Sequence, residues 1–170
     1  MGERPECSPG YRYDKLHSLT DDTKIVDKVE KCRLIPWTYV NFNDGFDQII
    51  SISMSPADYD APRPRKVEIT CEKKNIFVFV WVPYANSVGW SGSAQVKFDK
   101  SSAKQVSYWL QKDFDGIYLK NSKTFMPQLT KTKITFGFKV PTVNGYESMI
   151  YNKGNILEYR PIFAKAGCKF

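Results

Sequence analysis

Val67-Glu68-Ile69-Thr70-Cys71, then Glu72-Lys73-Lys74-Asn75, then Ile76-Phe77-Val78-Phe79-Val80-Trp81-Val82-Pro83-Tyr84 is the stretch that decides the fold. In the first arm Val67, Ile69 and Cys71 alternate with Glu68 and Thr70, the period-2 pattern of a half-buried strand. The second arm runs from Ile76 to Val82 without a polar break. Phe77, Phe79 and Trp81 point to one side, Ile76, Val78, Val80 and Val82 to the other. So short a run, rich in β-branched and aromatic residues, reads as a strand covered on both faces. The four polar residues between the arms suit a hairpin loop. Burying each large side chain is worth roughly 1.5–3 kcal/mol, which makes this hairpin the nucleus of the expected core.

The rest of the chain continues in the same manner. Ile35 to Phe42 reads as a strand, Asn43-Asp44-Gly45 as a turn, and Phe46 to Met54 as its partner, ended by Pro56. Further strands are expected at Gln95–Asp99, Val106–Leu110, Ile117–Leu119, Lys133–Val140 and Tyr146–Tyr151. Phe125, Met126 and Leu129 fall at helical spacing, with Pro127 tolerated only in a first turn. Asn155 to Lys165 is expected to form a short helix stopped by Gly167. In residues 1–34, Pro5, Pro9 and Gly10 argue against early regular structure. Asp21 or Asp22 is positioned to cap a short helix carrying Ile25, Val26 and Val29 on one side. The expected architecture is mainly β: a single antiparallel β-sandwich or half-barrel domain over residues 35–170, with a short C-terminal helix, preceded by an N-terminal flap over residues 1–34.

The composition sets the class. The chain has 170 residues, of which 42% are hydrophobic and 15% aromatic, enough for a real core and incompatible with a disordered chain. Its formal net charge is +7. That charge serves solubility, or it marks a basic face for an anionic partner: nucleic acid, lipopolysaccharide, a cell-wall polymer or an acidic protein. Four cysteines stand at Cys7, Cys32, Cys71 and Cys168, without a Cys-x-x-Cys pair and beside a lone histidine, His17, so zinc is not expected. Even count and wide spacing suit two disulfides in an oxidising compartment, with three connectivities open. A Cys7–Cys32 bridge would close a loop of about 25 residues, worth roughly 3 kcal/mol in the chain-entropy model. No apolar run reaches the length of a membrane span. The first residues carry no apolar signal region, so an exported chain would here be the mature part with an added methionine.

Catalytic and cofactor chemistry is not expected. His17 lies in a polar stretch with no nucleophile and orienting group attached to it by pattern. The acidic pairs Asp21/Asp22, Asp58/Asp60 and Asp113/Asp115 read as solvated turns rather than as a glycosidase pair or a calcium loop. There is no phosphate-binding glycine loop. Candidate contact residues lie elsewhere. Trp90 sits between two glycines in the loop Ala85–Ser93, either as a contact residue or as the loop's own plug into the core. Tyr59, Arg63 and Arg65 lie in the proline-rich connection Asp58–Lys66, and Tyr84 ends the aromatic arm. Lys97, Lys120 and Lys123 belong to a lysine-rich region, 97–139, interleaved with Tyr118 and Phe125. A basic and aromatic sheet can hold a nucleic-acid strand, but the cysteines argue for a compartment where such a partner is not expected.

The order of these features carries a resemblance. The acidic turn at Asp44-Gly45, the cysteine-ended strand Val67–Cys71, the aromatic strand ending at Trp81, Val96-Lys97-Phe98-Asp99, Tyr108-Trp109, Phe125–Leu129, the strand 147–151 and a terminal helix ending in cysteine resemble the VasI/TagO-type periplasmic proteins. These are associated with type VI secretion and with related small exported proteins of bacteria and phages. The resemblance covers roughly residues 35–170 and departs at the end, where this chain has Gly-Cys-Lys-Phe instead of Cys-Gly-Trp. It implies a Cys71–Cys168 disulfide, leaving Cys7–Cys32 for the flap, and a periplasmic or secreted location. The resulting expectation is a non-enzymatic, exported binding or accessory module of the cell envelope. It would recognise a protein or an anionic envelope polymer. The alternative is an inhibitor, immunity or superinfection-exclusion protein acting on an envelope enzyme or a phage entry factor.

Overall fold

In the computed structural model, residues 7–19, 25–57 and 65–170 are described, with side chains described at 7–12 and from Cys32 onward. The central hairpin forms as the alternation requires. Strand β5 (Val67–Glu72) pairs antiparallel with β6 (Asn75–Trp81) in the register Val67↔Val80 to Glu72↔Asn75. The connection is tighter than the four residues expected: only Lys73 and Lys74 turn, both with positive φ, 50° and 65°. Two left-handed residues give the turn whose twist matches that of paired strands.

Nine strands form one curled antiparallel sheet, a half-barrel. Besides β5 and β6 they are β3 (Thr38–Asn43), β4 (Gln48–Met54), β7 (Ser91–Phe98), β8 (Lys104–Leu110), β9 (Gly116–Leu119), β10 (Thr135–Thr142) and β11 (Gly145–Asn152). Their order is β11-β10-β7-β8-β9-β6-β5-β4-β3. The short strand β9 therefore returns to lie between β8 and β6. The curl brings the two edges of the sheet toward each other. Ala57 N–H, just past β4, donates to the Ile150 carbonyl of β11 at 2.7 Å. Trp37, preceding β3, donates its indole N–H to the Lys153 carbonyl at 2.6 Å and stacks on Phe136 at 6.2 Å.

The inner face is the core: Ile50, Ile52, Val67, Ile69, Val78, Val80, Ile117, Tyr108, Val96, Phe136, Phe138 and Tyr151 are all buried. Helix α1 (Ser122–Lys131) covers part of it with Phe125, Met126 and Leu129, and the Phe125 ring lies 5.6–6.1 Å from those of Phe98, Phe136 and Phe138. Pro127 stands sixth in this helix, not in its first turn as the sequence suggests. Its side chain is exposed, and at this position the ring gives up one backbone hydrogen bond and crowds the carbonyl one turn back. Ser122 begins the helix and accepts Val78 N–H at 3.2 Å, at the point on β6 where four-residue β9 no longer pairs.

The chain ends in a 3₁₀ turn (Ile156–Tyr159) running into the short helix α2 (Arg160–Lys165), with Pro161 at its start, where it forgoes no helical bond. Gly167 follows with φ of +92°, and a Cβ there would meet the Lys74 side chain at 2.7 Å. That turn delivers Cys168 to Cys71; the disulfide has a Cα–Cα distance of 6.0 Å. The second disulfide joins Cys7 to Cys32.

Two sequence expectations are corrected. The helix expected around Ile25, Val26 and Val29 is strand β2 (Ile25–Leu34), antiparallel to β1 (Tyr11–Leu19), which itself begins immediately after Gly10. The supposed capping residues Asp21 and Asp22 lie outside the described residues. A partner strand, which helical spacing does not reveal, decides the matter: the register runs from Tyr11↔Leu34 to Leu19↔Ile25. The loop expected over Ala85–Ser93 also ends early, because Ser91–Ser93 already pair with β8.

Candidate binding face

The outer face of the same sheet is where polarity and aromaticity meet. Register places Thr38, Ser53, Glu68, Phe79, Tyr118, Trp109 and Ser91 in one row running across seven strands, β3-β4-β5-β6-β9-β8-β7. A second row holds Val40, Ser51, Thr70 and Phe77. These are the residues that alternate with the buried Val78, Val80, Ile117, Tyr108 and Leu110, so they must face away from the core.

Their rings are only partly covered. Phe77 is 42% exposed, Tyr118 39% and Trp109 51%, whereas Phe79 is 8% exposed and supports the others from below. Phe79 packs edge-on against Trp81 at 5.1 Å and tilted against Tyr118 at 4.7 Å. Gly116 makes this possible: a Cβ there would lie 2.3 Å from the Phe79 ring and 2.5 Å from the Val80 carbonyl. The expectation that β6 is covered on both faces holds for the valine side and for Phe79 but fails at Phe77.

Around these rings lies an open depression of about 810 Å³. One wall is β5, with Glu68, Thr70 and Glu72; the other is Lys120, Asn121 and Lys123 at the entry to α1. The Lys120 ammonium sits 3.8 Å from the centre of the Trp109 ring and donates to Ser91 Oγ. A cation over an indole is attracted by the ring's negative face. Lys66 lies 5.7 Å from the Trp81 ring and pairs with Glu68 at 3.2 Å. Thr70 Oγ1 is 3.1 Å from Ser51 Oγ. The indole N–H of Trp81, also lining the depression, is buried and has no hydrogen-bond partner.

Of the residues singled out from sequence, Lys120 and Lys123 come together here. Lys97 stands on the same sheet face but on β7, opposite Gly137. Trp90 is 55% exposed and stacks on Phe114 at 5.8 Å, at the end of the sheet; it does not plug the core. Tyr84 and Arg65 line a separate pocket of about 370 Å³ with Tyr146 and Glu147, where Arg65 Nε is 3.4 Å from Glu147 Oε2. Tyr59 and Arg63 lie outside the described residues, as does the pair Asp58/Asp60. The four cysteines form the two bridges already given. Sequence reasoning missed Phe77 and Trp109 as surface residues, although the alternation of Trp109 with Tyr108 and Leu110 carried the signal; of the two rings it set among the lysines, Tyr118 is on the surface and Phe125 is buried.

The acidic turns serve structure. Asp113 N–H donates to Gln111 Oε1 at 2.8 Å, within the turn between β8 and β9. Asp44 accepts Phe46 and Asp47 N–H at 2.9 and 2.8 Å, and these bonds hold its carboxyl below the ordinary value. Asp99, whose φ is +52°, accepts three backbone N–H groups: Lys133 and Ile134 at 2.8 Å and Thr135 at 3.1 Å. Partial burial pushes its carboxyl upward, but the three bonds together outweigh that and leave it lowered. Burial raises the hydroxyls of Tyr151 and Tyr108, whose O–H groups donate to the Arg65 and Asn86 carbonyls.

Comparison with protein-family models, with curated proteins and with solved structures returns no match to this chain. No helix among the described residues is long and apolar enough to cross a membrane.

Proposed function

We propose that this chain is a non-enzymatic, exported binding module of the cell envelope, and that it holds its partner on the outer face of β5, β6, β9 and β8. The observation that carries this reading is the depression floored by half-exposed Phe77, Tyr118 and Trp109 and walled by paired polar residues. Exposed aromatic clusters rimmed by polar groups mark interaction sites. Two disulfides support an oxidising compartment, and the resemblance to periplasmic proteins associated with type VI secretion supports the envelope setting. The partner is a protein or an anionic envelope polymer. The test is capture from envelope extract by the oxidised chain, compared with Trp109→Ala and Tyr118→Ala. A partner held by the parent chain and lost from both variants supports the reading; equal capture by all three overturns it.

A second reading, an inhibitor or immunity protein, is favoured by the Trp90–Phe114 stack, two exposed rings on adjacent turns at one end of the sheet. It would insert these turns into a cleft. Under that reading Trp90→Ala abolishes capture while Trp109→Ala does not.

A further inference from the structure

We propose that the ring-floored depression takes an extended acidic glycan, a polysaccharide chain carrying carboxylate groups. This rests on the reading of that face as the binding site. The exposed rings Tyr118 and Trp109 stand side by side on neighbouring strands, about 4.8 Å apart, next to the buried ring of Phe79. That step is close to the length of one pyranose unit in an extended chain. A polypeptide laid along the row would present same-side residues about 6.6–6.8 Å apart and fall out of step with it.

The chemistry of the floor and walls fits the same class. Pyranose rings carry apolar C–H faces, which lie flat on aromatic rings, and a rim of hydroxyls that both donate and accept. Phe77, Tyr118 and Trp109 supply exposed rings. Thr70 and the carboxylates of Glu68 and Glu72 supply acceptors along one wall. Lys120 and Lys123 supply charged donors along the other, where they meet carboxylates on the ligand. Lys120 is held in position by Trp109 and Ser91, so little freedom is left to lose on binding. Lys66 offsets the charge of Glu68 at 3.2 Å, and with Glu72 on the same wall the ligand's carboxylates are directed to the opposite wall of Lys120 and Lys123. The net charge of +7 draws a polyanion toward the surface. At about 810 Å³, the depression has the size of a small-ligand site, and its open shape lets a polymer pass through.

The experiment is calorimetric titration of the oxidised chain with three acidic glycans: hyaluronan oligomers, oligogalacturonate and solubilised peptidoglycan glycan strands. An uncharged chito-oligosaccharide of equal length and polyglutamate are the comparison ligands. At least one acidic glycan is expected to bind more tightly than both comparison ligands. Trp109→Ala and Tyr118→Ala should each weaken it by about two- to tenfold, the worth of one aromatic contact. Lys120→Ala should weaken the acidic glycan and leave the uncharged one unaffected. Phe77→Ala repeats the test at a ring on another row, should either of the other variants not fold. Failure of all three acidic glycans, polyglutamate binding as tightly as the glycan, or an affinity indifferent to every ring variant overturns the proposal. If no glycan binds but an envelope protein is captured through Trp109 and Tyr118, the glycan assignment fails and the binding face stands. If capture is also indifferent to these residues, both fail.

Discussion

The two faces of β6 have the same backbone and opposite fates. Val78, Val80 and Val82 are fully buried, while Phe77, two residues from Phe79 on the other side, is 42% exposed. Aromatic rings bury more area per residue than valine, so a sheet built for stability alone would turn the rings inward. Strand β6 instead turns its valines inward, where they meet buried rings of other strands such as Tyr108 and Phe138, and sets its own rings on the outer face, with Phe77 open to solvent. The inner face is organised for packing and the outer for contact. Changes on the inner face should therefore act on stability, and changes on the outer face on binding.

The largest expected effect comes from the bond that fixes the tail to the inner side of β5. Replacing Cys71 and Cys168 by serine opens a closure of 97 residues and should cost about 4–5 kcal/mol in the chain-entropy picture, read by denaturant unfolding. Ile117→Ala, at a fully buried site on β9, should cost about 2–5 kcal/mol. Gly116→Ala, next to it in sequence but beneath the Phe79 ring, should cost about 1–3 kcal/mol and displace that ring, so that stability and binding fall together. Asp99 belongs to neither face. Its folded carboxyl is lowered, so its contribution is complete above the unfolded value of about 3.9 and disappears as pH falls through the folded value. Acid unfolding of Asp99→Asn should lose that part of the pH dependence. Phe77→Ala should be the mildest for stability, below about 1 kcal/mol, while weakening binding. A large loss of stability in Phe77→Ala with binding intact would break the contrast between the faces.

Much of this fold can be read from residues in order. The alternation of Val67, Ile69 and Cys71 and the aliphatic side of Ile76–Val82 specify strands, and Phe125, Met126 and Leu129 specify a helix. What local pattern does not carry is pairing between distant segments. Ile25, Val26 and Val29 suit a helix or a strand, and only the partner Tyr11–Leu19 decides between them. The candidate face was hidden for the same reason. Alternation shows that Phe77 and Phe79 share a side but not whether anything covers it. Trp109 and Tyr118 join them only because β9 lies between β8 and β6, a neighbourhood that chain order does not announce. Lys120 and Lys123 were identified from charge, yet their place beside the rings follows from that same return.

The bond between Cys71 and Cys168 encloses β6 through β11 and both helices within one covalent ring. A single proteolytic cut anywhere between Glu72 and Gly167 therefore cannot release a fragment. A nicked molecule would run as one band on a non-reducing gel and separate only after reduction. In a compartment exposed to proteases, the ring could be severed once while both halves of the ring row stay attached to the same molecule.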